Sequence, residues 1–406
     1  MSHSSPIRLL IFGHVPPPHH GQSYMIQLML DGFRPCPGAS NEVACWHVDA
    51  RYSLGIEDIG GFRLNKALLV LKYCFQALRL RFSHQITHFY YVPAPGMPMP
   101  VFRDWIVMLL CRPFFKKTIF HWHSVGLGEW LEIQAPAYCR RISKALLGGV
   151  ALSIVLSRYN ASDAAKFNPK KIAIVANGIP DPCPHFDAEM LPERRRRRAI
   201  RSRLKQRHDP SAKSAHAPPE ACATFQVLFV ALCYQDKGLF ETVDGVLAAN
   251  RVLCREDSPF RLTLAIAGKF YTAEDEDALS KRLALPEARG VIAYKGFVAG
   301  VQKRVLFEEA DVFCFPTYYP MEGQPVNLIE AMAFGLPIVA TKWRSIPEMV
   351  PEDYPGLVDI KSHEQIASAL IRLIESDLSE TMRRRFLSRY SLEHYIESLK
   401  SAIMDA

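Results

Sequence analysis

The chain has 406 residues, of which 49% are hydrophobic and 22% are charged, and its formal net charge is +8. This length predicts two domains of about 200 residues each, and the composition excludes a disordered chain. The ten cysteines are scattered singly, with no Cys-x-x-Cys pair, which argues against a zinc site or a disulfide framework and favours a reducing cytosol. The positive charge permits phosphates, lipid surfaces or nucleic acid as partners without choosing among them.

The N-terminal segment, MSHSSPIRLLIFGHV, has too short an apolar run for a secretory signal and predicts a first strand. A membrane-spanning helix needs ~18–20 uncharged apolar residues, and no stretch of the sequence reaches that length. The nearest candidate, DWIVMLLC, is bounded by charged residues on both sides. We therefore expect a chain that does not span a membrane.

Short apolar or β-branched runs alternate with helical patterns in both halves, which predicts an α/β fold with parallel sheets. In the first half we predict strands over residues 7–13, 42–48, 86–92, 118–123, 152–157 and 171–178. In the second half we predict strands over residues 225–231, 262–268, 291–296, 311–316 and 337–341. The simplest architecture is two Rossmann-like doubly wound domains facing a central cleft, with ligands beyond the carboxyl ends of the strands.

The composition changes between the two halves. We predict a first domain over residues 1–180, a basic helix and flexible linker over 181–224, and a second domain over 225–406, whose last helix could cross back to the first. The run Arg194–Arg198 could suggest nucleic acid, but no aromatic residues interleave with it and no nucleic-acid module accompanies it. We favour a solvated interdomain helix, able to touch membrane phosphates, over a nucleic-acid site.

Residues 62–82 read FRLNKALLVLKYCFQALRLRF. The apolar residues at helical spacing are Leu64, Leu68, Leu71, Phe75, Leu78 and Phe82, and the interspersed cations are Arg63, Lys66, Lys72, Arg79 and Arg81. Such a helix could pack its apolar stripe into the first domain, or it could lie on an anionic membrane. Periodicity does not separate the two, and we favour core packing.

Residues 316–341 read PTYYPMEGQPVNLIEAMAFGLPIVAT and follow a predicted buried strand. The apolar spacing after the loop predicts a helix that ends at Gly335, the left-handed cap residue, with Pro337 preventing continuation. The free N–H groups and positive dipole end of this helix predict an anion site, with a diphosphate as the natural ligand.

Two glutamates lie in this stretch, eight positions apart. Glu330, about one turn into the helix, could accept hydrogen bonds from hydroxyls such as those of a ribose. Glu322, in the loop, could reach a sugar hydroxyl or stabilise positive charge at a sugar carbon. The alternative is that both are ordinary surface glutamates.

These residues resemble a known family. EGQPVNLIEAMAFGLPIVAT is similar to the Glu-x7-Glu signature of retaining glycosyltransferases of the GT4 type, which have the GT-B fold. Further segments agree, in the order in which the family has them: GHVPPPHHGQSYMI, FHWHS, IVLSRYNASDAAKF, AIVANGI, FVALCYQDKGL, AGKF and YKGFV. The resemblance covers nearly the whole chain.

The resemblance implies roles for the residues around the predicted helix. Glu330 would bind the nucleotide ribose and Glu322 would contact the donor sugar. The backbone amides of Val326 and Asn327 would meet the sugar and phosphate, since Pro325 has no N–H. No metal or other cofactor is implied, because the helix dipole and basic side chains can stabilise a leaving diphosphate.

The resemblance also implies that Lys237 neutralises the departing phosphate and that Gly238 lets the backbone turn closely. The alternative for Lys237 is a solvated lysine in a loop. The chain departs from the family pattern at Leu232, where many relatives carry an arginine five positions before this lysine. Lys269, which follows another strand, could compensate for the missing charge.

On the first domain, the resemblance implies that Gly21 and its neighbours border the donor phosphate and sugar. His19 and His20 could equally be solvated loop residues. His123, at the end of a strand, best matches the family histidine near the reacting sugar. We expect His121 and His123 to face opposite sides of the strand, which argues against a shared metal and leaves one of them structural.

The combined interpretation is a retaining glycosyltransferase that moves a sugar from a nucleotide diphosphate sugar to a glycan or polyprenyl-linked glycan during surface polysaccharide assembly. We expect a cytoplasmic protein, able to bind the inner face of the plasma membrane peripherally, with no nucleic acid as partner. A nicotinamide-dependent oxidoreductase is disfavoured because the first strand leads to GHVPPPHHG and not to Gly-x-Gly-x-x-Gly. The other alternative is a catalytically inactive sugar-nucleotide-binding or membrane scaffold protein, which Leu232 favours and Glu322, Glu330 and Lys237 oppose.

Overall fold

The computed structural model describes residues 6–17, 21–34, 42–52, 64–208 and 223–406, and no helix in these ranges is long and apolar enough to cross a membrane. The chain divides into two compact units. The first unit comprises Met1–Pro180, Pro320–Gln324 and Arg389–Ala406, and the second comprises Asp181–Tyr319 and Pro325–Ser388. The loop that contains Glu322 therefore belongs to the first unit, although the chain on both sides of it belongs to the second.

The first unit contains a parallel sheet with helices. Its strands are β1 (Ile7–Gly13), β2 (Val43–Asp49), β3 (His88–Tyr91), β4 (Lys117–Trp122), β5 (Leu152–Val155) and β6 (Ile172–Ile174). Its helices are α1 (Gly21–Gly32), α2 (Leu64–Ser83), α3 (Pro98–Cys111), α4 (Leu127–Ile133), α5 (Ala137–Leu147), α6 (Arg158–Ala165) and α15 (Leu392–Met404). In the described residues the strand order is β2-β1-β3-β4-β5-β6, and Leu9 of β1 pairs with Cys45 on one side and His88 on the other.

The second unit repeats this plan. Its strands are β7 (Ala223–Val230), β8 (Phe260–Ala267), β9 (Ile292–Tyr294), β10 (Val312–Phe315), β11 (Ile338–Thr341) and β12 (Leu357–Val358). Its helices are α7 (Leu191–His208), α8 (Leu239–Arg255), α9 (Ala273–Leu283), α10 (Gly300–Glu309), α11 (Val326–Ala333), α12 (Ile346–Met349), α13 (His363–Leu373) and α14 (Ser379–Arg389). Every pairing is parallel, and the order is β12-β11-β10-β7-β8-β9.

These observations confirm the predicted fold class, two doubly wound α/β units. All the predicted strands are present, and within the described ranges the one strand that was not predicted is the very short β12. The strands are nearly continuous apolar runs because helices cover both faces of a parallel sheet. Leu9, Leu10 and Ile11 of β1 are accordingly all fully buried.

The apolar stripe predicted on α2 does not pack in the core. Val70, Cys74 and Ala77 of α2 are buried and join the hydrophobic core of the first unit. The stripe residues Leu68, Leu71, Phe75 and Phe82 are exposed instead. Core packing was the wrong choice here, because two different arcs of this helix are apolar and only one faces the sheet. Arg63 and the side chains of Leu64 and Lys66 lie outside the described residues.

The basic helix α7 is anchored to the second unit, and the expectation of a solvated helix is wrong for its inner face. Arg194 is buried and donates hydrogen bonds to the carbonyl oxygens of Phe307, Ala310 and Phe334 at 3.3, 2.9 and 3.0 Å. These carbonyls lie at the carboxyl ends of α10 and α11, where the last turn of a helix lacks its own donors and attracts cations. The predicted linker residues 209–222 lie outside the described residues.

Candidate functional site

The second sheet has a switch point between β7 and β10, where the chain order reverses. In doubly wound sheets, ligands bind in the crevice at the carboxyl ends of such strands. The loops that follow these two strands are joined to each other, since the carbonyl oxygen of Asp236 accepts hydrogen bonds from the Tyr318 N–H at 2.8 Å and the Thr317 hydroxyl at 3.1 Å. A ligand site of the second unit is therefore expected at this edge.

Lys237 lies at this edge, at the end of a single 3-10 turn formed by Gln235–Lys237. Its Nζ is 4.4 Å from the ring centroid of Tyr319. The next residue, Gly238, has a φ of +77°, and a β-carbon there would lie 2.4 Å from the carbonyl oxygen of Pro316. Glycine is therefore required for the Lys237 loop to approach the end of β10 so closely.

The N-terminus of α11 lies at the same edge. Its N-cap residue is Pro325, in an extended conformation with no side-chain cap. The first N–H groups of a helix, here those of Val326 and Asn327, have no acceptor within the helix and carry partial positive charge. The Asn327 side chain donates a hydrogen bond of 3.0 Å to the carbonyl oxygen of Val230, the last residue of β7. This bond fixes the helix end at the switch point, where it can bind an anion.

Glu330, one turn into α11, is bound by a residue that the sequence did not indicate. The Lys303 ammonium group lies 2.6 Å from Oε1 and 2.7 Å from Oε2 of the Glu330 carboxylate. Both side chains are partly exposed. Glu330 is thus not an unpartnered surface glutamate, and the carboxylate is held by a cation from α10. A lone lysine 27 residues away along the chain gives no local signal of such a pairing.

Lys269 lies in the loop after β8. Its side chain is exposed, and its Nζ is 5.0 Å from the ring centroid of Phe297. Its carbonyl oxygen accepts a hydrogen bond of 2.7 Å from the N–H of Cys233. This bond joins the Lys269 loop to the segment that contains Leu232.

In the first unit, the loop after β1 leads to α1, which begins at the exposed residue Gly21. The preceding residues, His19 and His20, lie outside the described residues. His14 follows β1 directly, and burial lowers its pKa while the nearby Asp49 carboxylate opposes that shift. Imidazole at this position is therefore biased towards the neutral form.

The two histidines at the end of β4 lie on one side of the strand, and the prediction that they face opposite sides was wrong. Their ring centroids are 4.1 Å apart, because side chains two positions apart along a strand share a face. His121 is fully buried, and its Nδ1 lies 2.5 Å from the Tyr90 hydroxyl oxygen. Burial and, to a smaller extent, His123 hold the pKa of His121 well below its usual value. The imidazole of His121 is therefore biased towards its neutral form, and His123 is the more accessible of the two.

The loop that carries Glu322 is held against His123. A β-carbon on Gly323 would lie 2.3 Å from the carbonyl oxygen of His123. The next residue, Gln324, accepts a 2.6 Å hydrogen bond from the N–H of Asn177 through its side-chain oxygen. Glu322 itself is buried, which excludes an ordinary surface glutamate. The first unit thus brings Glu322 and His123 into one neighbourhood.

The predicted site residues form two groups. Lys237, Gly238, Val326 and Asn327 lie at the carboxyl edge of the second sheet, Glu330 follows one turn into α11, and Lys269 lies in an adjoining loop. The first unit holds Glu322, His123 and Gly21. Among the residues that the structure describes, no group of three or more His, Cys, Asp and Glu residues could hold a metal ion.

Comparison with known proteins adds the following. Residues 225–376 match the family model described as "Glycosyl transferases group 1". The amylovoran biosynthesis glycosyltransferase AmsK of Erwinia amylovora is 29% identical over 157 residues, 37% of this chain and 36% of that protein. The O-antigen chain mannosyltransferase B of Escherichia coli is 28% identical over 138 residues, 34% of each chain. The matched region thus spans about a third of the length of these relatives.

Solved structures resemble the chain over nearly its full length. The crystal structure of Anabaena Alr3699/HepE in complex with UDP and glucose has a TM-score of 0.64 at 14% identity, covering 98% of this chain and 100% of that one. The sucrose-phosphate synthase of Thermosynechococcus elongatus has a TM-score of 0.65 at 16% identity, with 98% of each chain covered. These likenesses confirm the predicted GT-B fold.

Proposed function

We propose that this protein is a retaining glycosyltransferase of the GT4 type that takes its sugar from a nucleotide diphosphate sugar. The observation that carries the proposal is the arrangement of Lys237, the α11 N-terminus and Glu330 at one edge of the second sheet. Glu330 lies four residues, about 6 Å along the helix axis, beyond Val326. A diphosphate at the helix end would therefore leave this carboxylate within reach of the ribose hydroxyls.

Each of these groups has a chemical task in the proposed reaction. The bond between the sugar C1 and the diphosphate oxygen breaks, and the helix dipole and Lys237 stabilise the negative charge that develops on the diphosphate. The acceptor hydroxyl oxygen forms the new bond to C1 from the same face, and its proton passes to the leaving phosphate oxygen. Glu322 and His123 are assigned to the donor sugar, and Gly21 to the border of the donor phosphate and sugar. Lys269 is assigned as the second cation, in place of an arginine at Leu232.

The acceptor in this proposal is a glycan or polyprenyl-linked glycan of surface polysaccharide assembly, used at the cytoplasmic face of the plasma membrane. The names of the relatives, which concern amylovoran and O-antigen, support this acceptor class. UDP in the Anabaena structure supports a nucleoside diphosphate as the leaving group. The reaction as proposed needs no metal, and activity undiminished by EDTA would support that point.

A thermal-shift screen tests the donor site. Wild type, Glu330→Ala and the control Glu364→Ala, an exposed glutamate in α13, would be mixed with UDP, GDP, ADP, CMP and their sugars. A ligand at about 100 times its Kd adds roughly 2.7 kcal/mol to the free energy of unfolding. We expect one nucleoside diphosphate to stabilise wild type and Glu364→Ala but not Glu330→Ala. If no nucleotide stabilises the folded protein, the proposed site is wrong.

Turnover separates the enzyme from the alternative of a sugar-nucleotide-binding protein without activity. The donor identified by the screen would be incubated with wild type and polyprenyl-linked glycan acceptors, and the product would be examined by NMR. An α-linked product from an α-linked donor is expected for retention, and an inverted anomeric centre would refute the same-face step. Binding of the donor with no transfer to any acceptor would favour the inactive protein, with Leu232 as the first residue to restore to arginine.

A further inference from the structure

The outer face of α2 in the first unit has an unusual surface. Leu68, Leu71, Phe75 and Phe82 are 62%, 49%, 70% and 61% exposed. At about 100° per residue, these four positions fall within an arc of about 60°. They therefore form one continuous apolar stripe along a helix that is already anchored by Val70, Cys74 and Ala77 on its other side.

The stripe extends beyond α2 at its carboxyl end. Phe114, which is itself exposed, packs its ring edge-on against Phe82 with a centroid distance of 5.8 Å. Arg81 donates a hydrogen bond of 2.7 Å to the Phe114 carbonyl oxygen, and its guanidinium lies 5.6 Å from the Phe82 ring centroid. The apolar surface is thus continued by a second segment and is bordered by a cation that is fixed in place.

Along α2 and the segment that follows it, the sequence is predominantly positive. From Leu64 to Lys117 the sequence has eight Lys and Arg residues and one acidic residue, Asp104. That carboxylate is fully buried and is bound by Arg103, so it adds no negative charge to the surface. The exposed side chains of Lys72 and Arg79 follow one edge of the stripe within about 40° of helical rotation.

We infer that this stripe, defined by Leu68, Leu71, Phe75 and Phe82 with Lys72 and Arg79 at its edge, is the surface with which the protein docks on an anionic phospholipid membrane. The boundary between acyl chains and anionic head groups offers apolar surface to the apolar side chains and negative charge to the cations beside them. A protein partner would have to present an apolar stripe with carboxylates beside it. This inference goes beyond the proposed sugar transfer, and it is tested without donor or acceptor.

The test is sedimentation of the full chain with vesicles of phosphatidylcholine alone or with phosphatidylglycerol added. We expect wild type to bind the anionic vesicles and to be released by high salt, because the attraction is screened. The double variant Lys72→Gln with Arg79→Gln should lower the partitioning of the protein onto the anionic vesicles about 25-fold, because each cation contributes a factor of about five. Phe75→Ser with Phe82→Ser should lower it about tenfold or more, because the rings no longer enter the acyl boundary.

Matched controls lie in the second unit. Lys281→Gln with Arg304→Gln removes two exposed cations, and Leu387→Ser removes an exposed apolar side chain. Both should bind the anionic vesicles as wild type does, and all variants should keep the far-UV circular dichroism of wild type. Failure of wild type to bind anionic vesicles, or equal binding by the stripe variants, would overturn the inference. A dimer of wild type that is lost in the Phe75 and Phe82 variant, without vesicle binding, would assign the stripe to a second copy instead.

Discussion

The pair formed by Lys303 and Glu330 offers a sharp test of the proposed donor site, through the substitution Lys303→Met. The ammonium group contacts both carboxylate oxygens, at 2.6 and 2.7 Å, and the two side chains are 30% and 21% exposed. An ion pair that is open to solvent to this extent contributes at most about 1 kcal/mol to stability. The variant should therefore fold, with a Tm lowered by no more than about 2–4 °C.

The effect on donor binding should be larger than the effect on folding. A carboxylate has about four lone-pair sites, so Glu330 can keep Lys303 and still accept hydrogen bonds from two ribose hydroxyls. Lys303 then fixes the direction in which the carboxylate points. Without it, we expect the donor KM to rise about tenfold, equivalent to about 1.4 kcal/mol. Because the ribose is bound equally in the ground state and the transition state, kcat should change little.

Initial-rate kinetics with the donor identified by the thermal-shift screen would measure this effect. Lys303→Arg should restore most of the KM, and Lys281→Met, which removes an exposed lysine paired with Asp277 in the same unit, should leave it unchanged. In a Glu330→Gln background, Lys303→Met should add almost nothing, since the two residues act as one unit. A donor KM that stays constant or falls in Lys303→Met would refute the positioning role. So would a drop in kcat at constant KM.

Three further substitutions test the packing of the two units. Arg194→Met should lower the free energy of unfolding, measured by urea denaturation, by about 3 kcal/mol or more, because it leaves three buried carbonyl oxygens without donors. The control Arg196→Met, at an exposed position of the same helix, should change it by less than about 0.5 kcal/mol. Gly238→Ala should lower the free energy of unfolding by about 3 kcal/mol or more and should weaken stabilisation by the nucleotide. The control Gly290→Ala also has a positive φ, of +70°, but its β-carbon would enter open space, so it should lower the free energy of unfolding by only about 1 kcal/mol. Equal losses in the two variants would exclude the clash with Pro316 as the cause. Burial lowers the pKa of His88 to about 4 in the folded protein, whereas the usual histidine pKa of about 6.5 applies to the unfolded chain. Between these two pH values the unfolded chain binds more protons, so the free energy of unfolding should fall as the pH drops from about 6.5 to 4. His88→Gln should flatten that part of the urea-derived stability curve, and an unchanged slope would exclude this group.

The fold was predictable because its signals are local. Each strand is a short apolar run, and the end of α11 is set by Gly335, whose φ of +61° confirms the predicted left-handed cap. The exposed face of α2 was not predictable in the same way. Phe75 is more hydrophobic than Ala77, yet Phe75 faces solvent and Ala77 is fully buried, because close approach to the sheet and α3 selects the smaller side chain.

Features of the candidate site were predictable where the local backbone requires a particular residue type. They were not predictable where a contact joins residues that are distant in the sequence. Gly238 follows directly from a loop that turns against β10. The Lys303 contact with Glu330 and the burial of Arg194 depend on helices that are distant in sequence, and nothing in a basic segment distinguishes a buried arginine from a solvated one. The error over His121 had a different origin, since strand geometry alone places it on the same side as His123.

Glu322 and Glu330 are eight residues apart, and between them the chain passes from the first unit to the second. Gly323 must lack a β-carbon to lie against the His123 carbonyl, and Gln324 is bound by Asn177, so this end of the stretch is fixed by the first unit. From Pro325 to Ser388 the chain belongs to the second unit, and α11 fixes Glu330 there. The two glutamates that resemble one sequence signature are therefore positioned by separate sets of contacts. A change in the first unit can displace Glu322 while leaving the surroundings of Glu330 intact, which is why donor binding and transfer have to be measured separately.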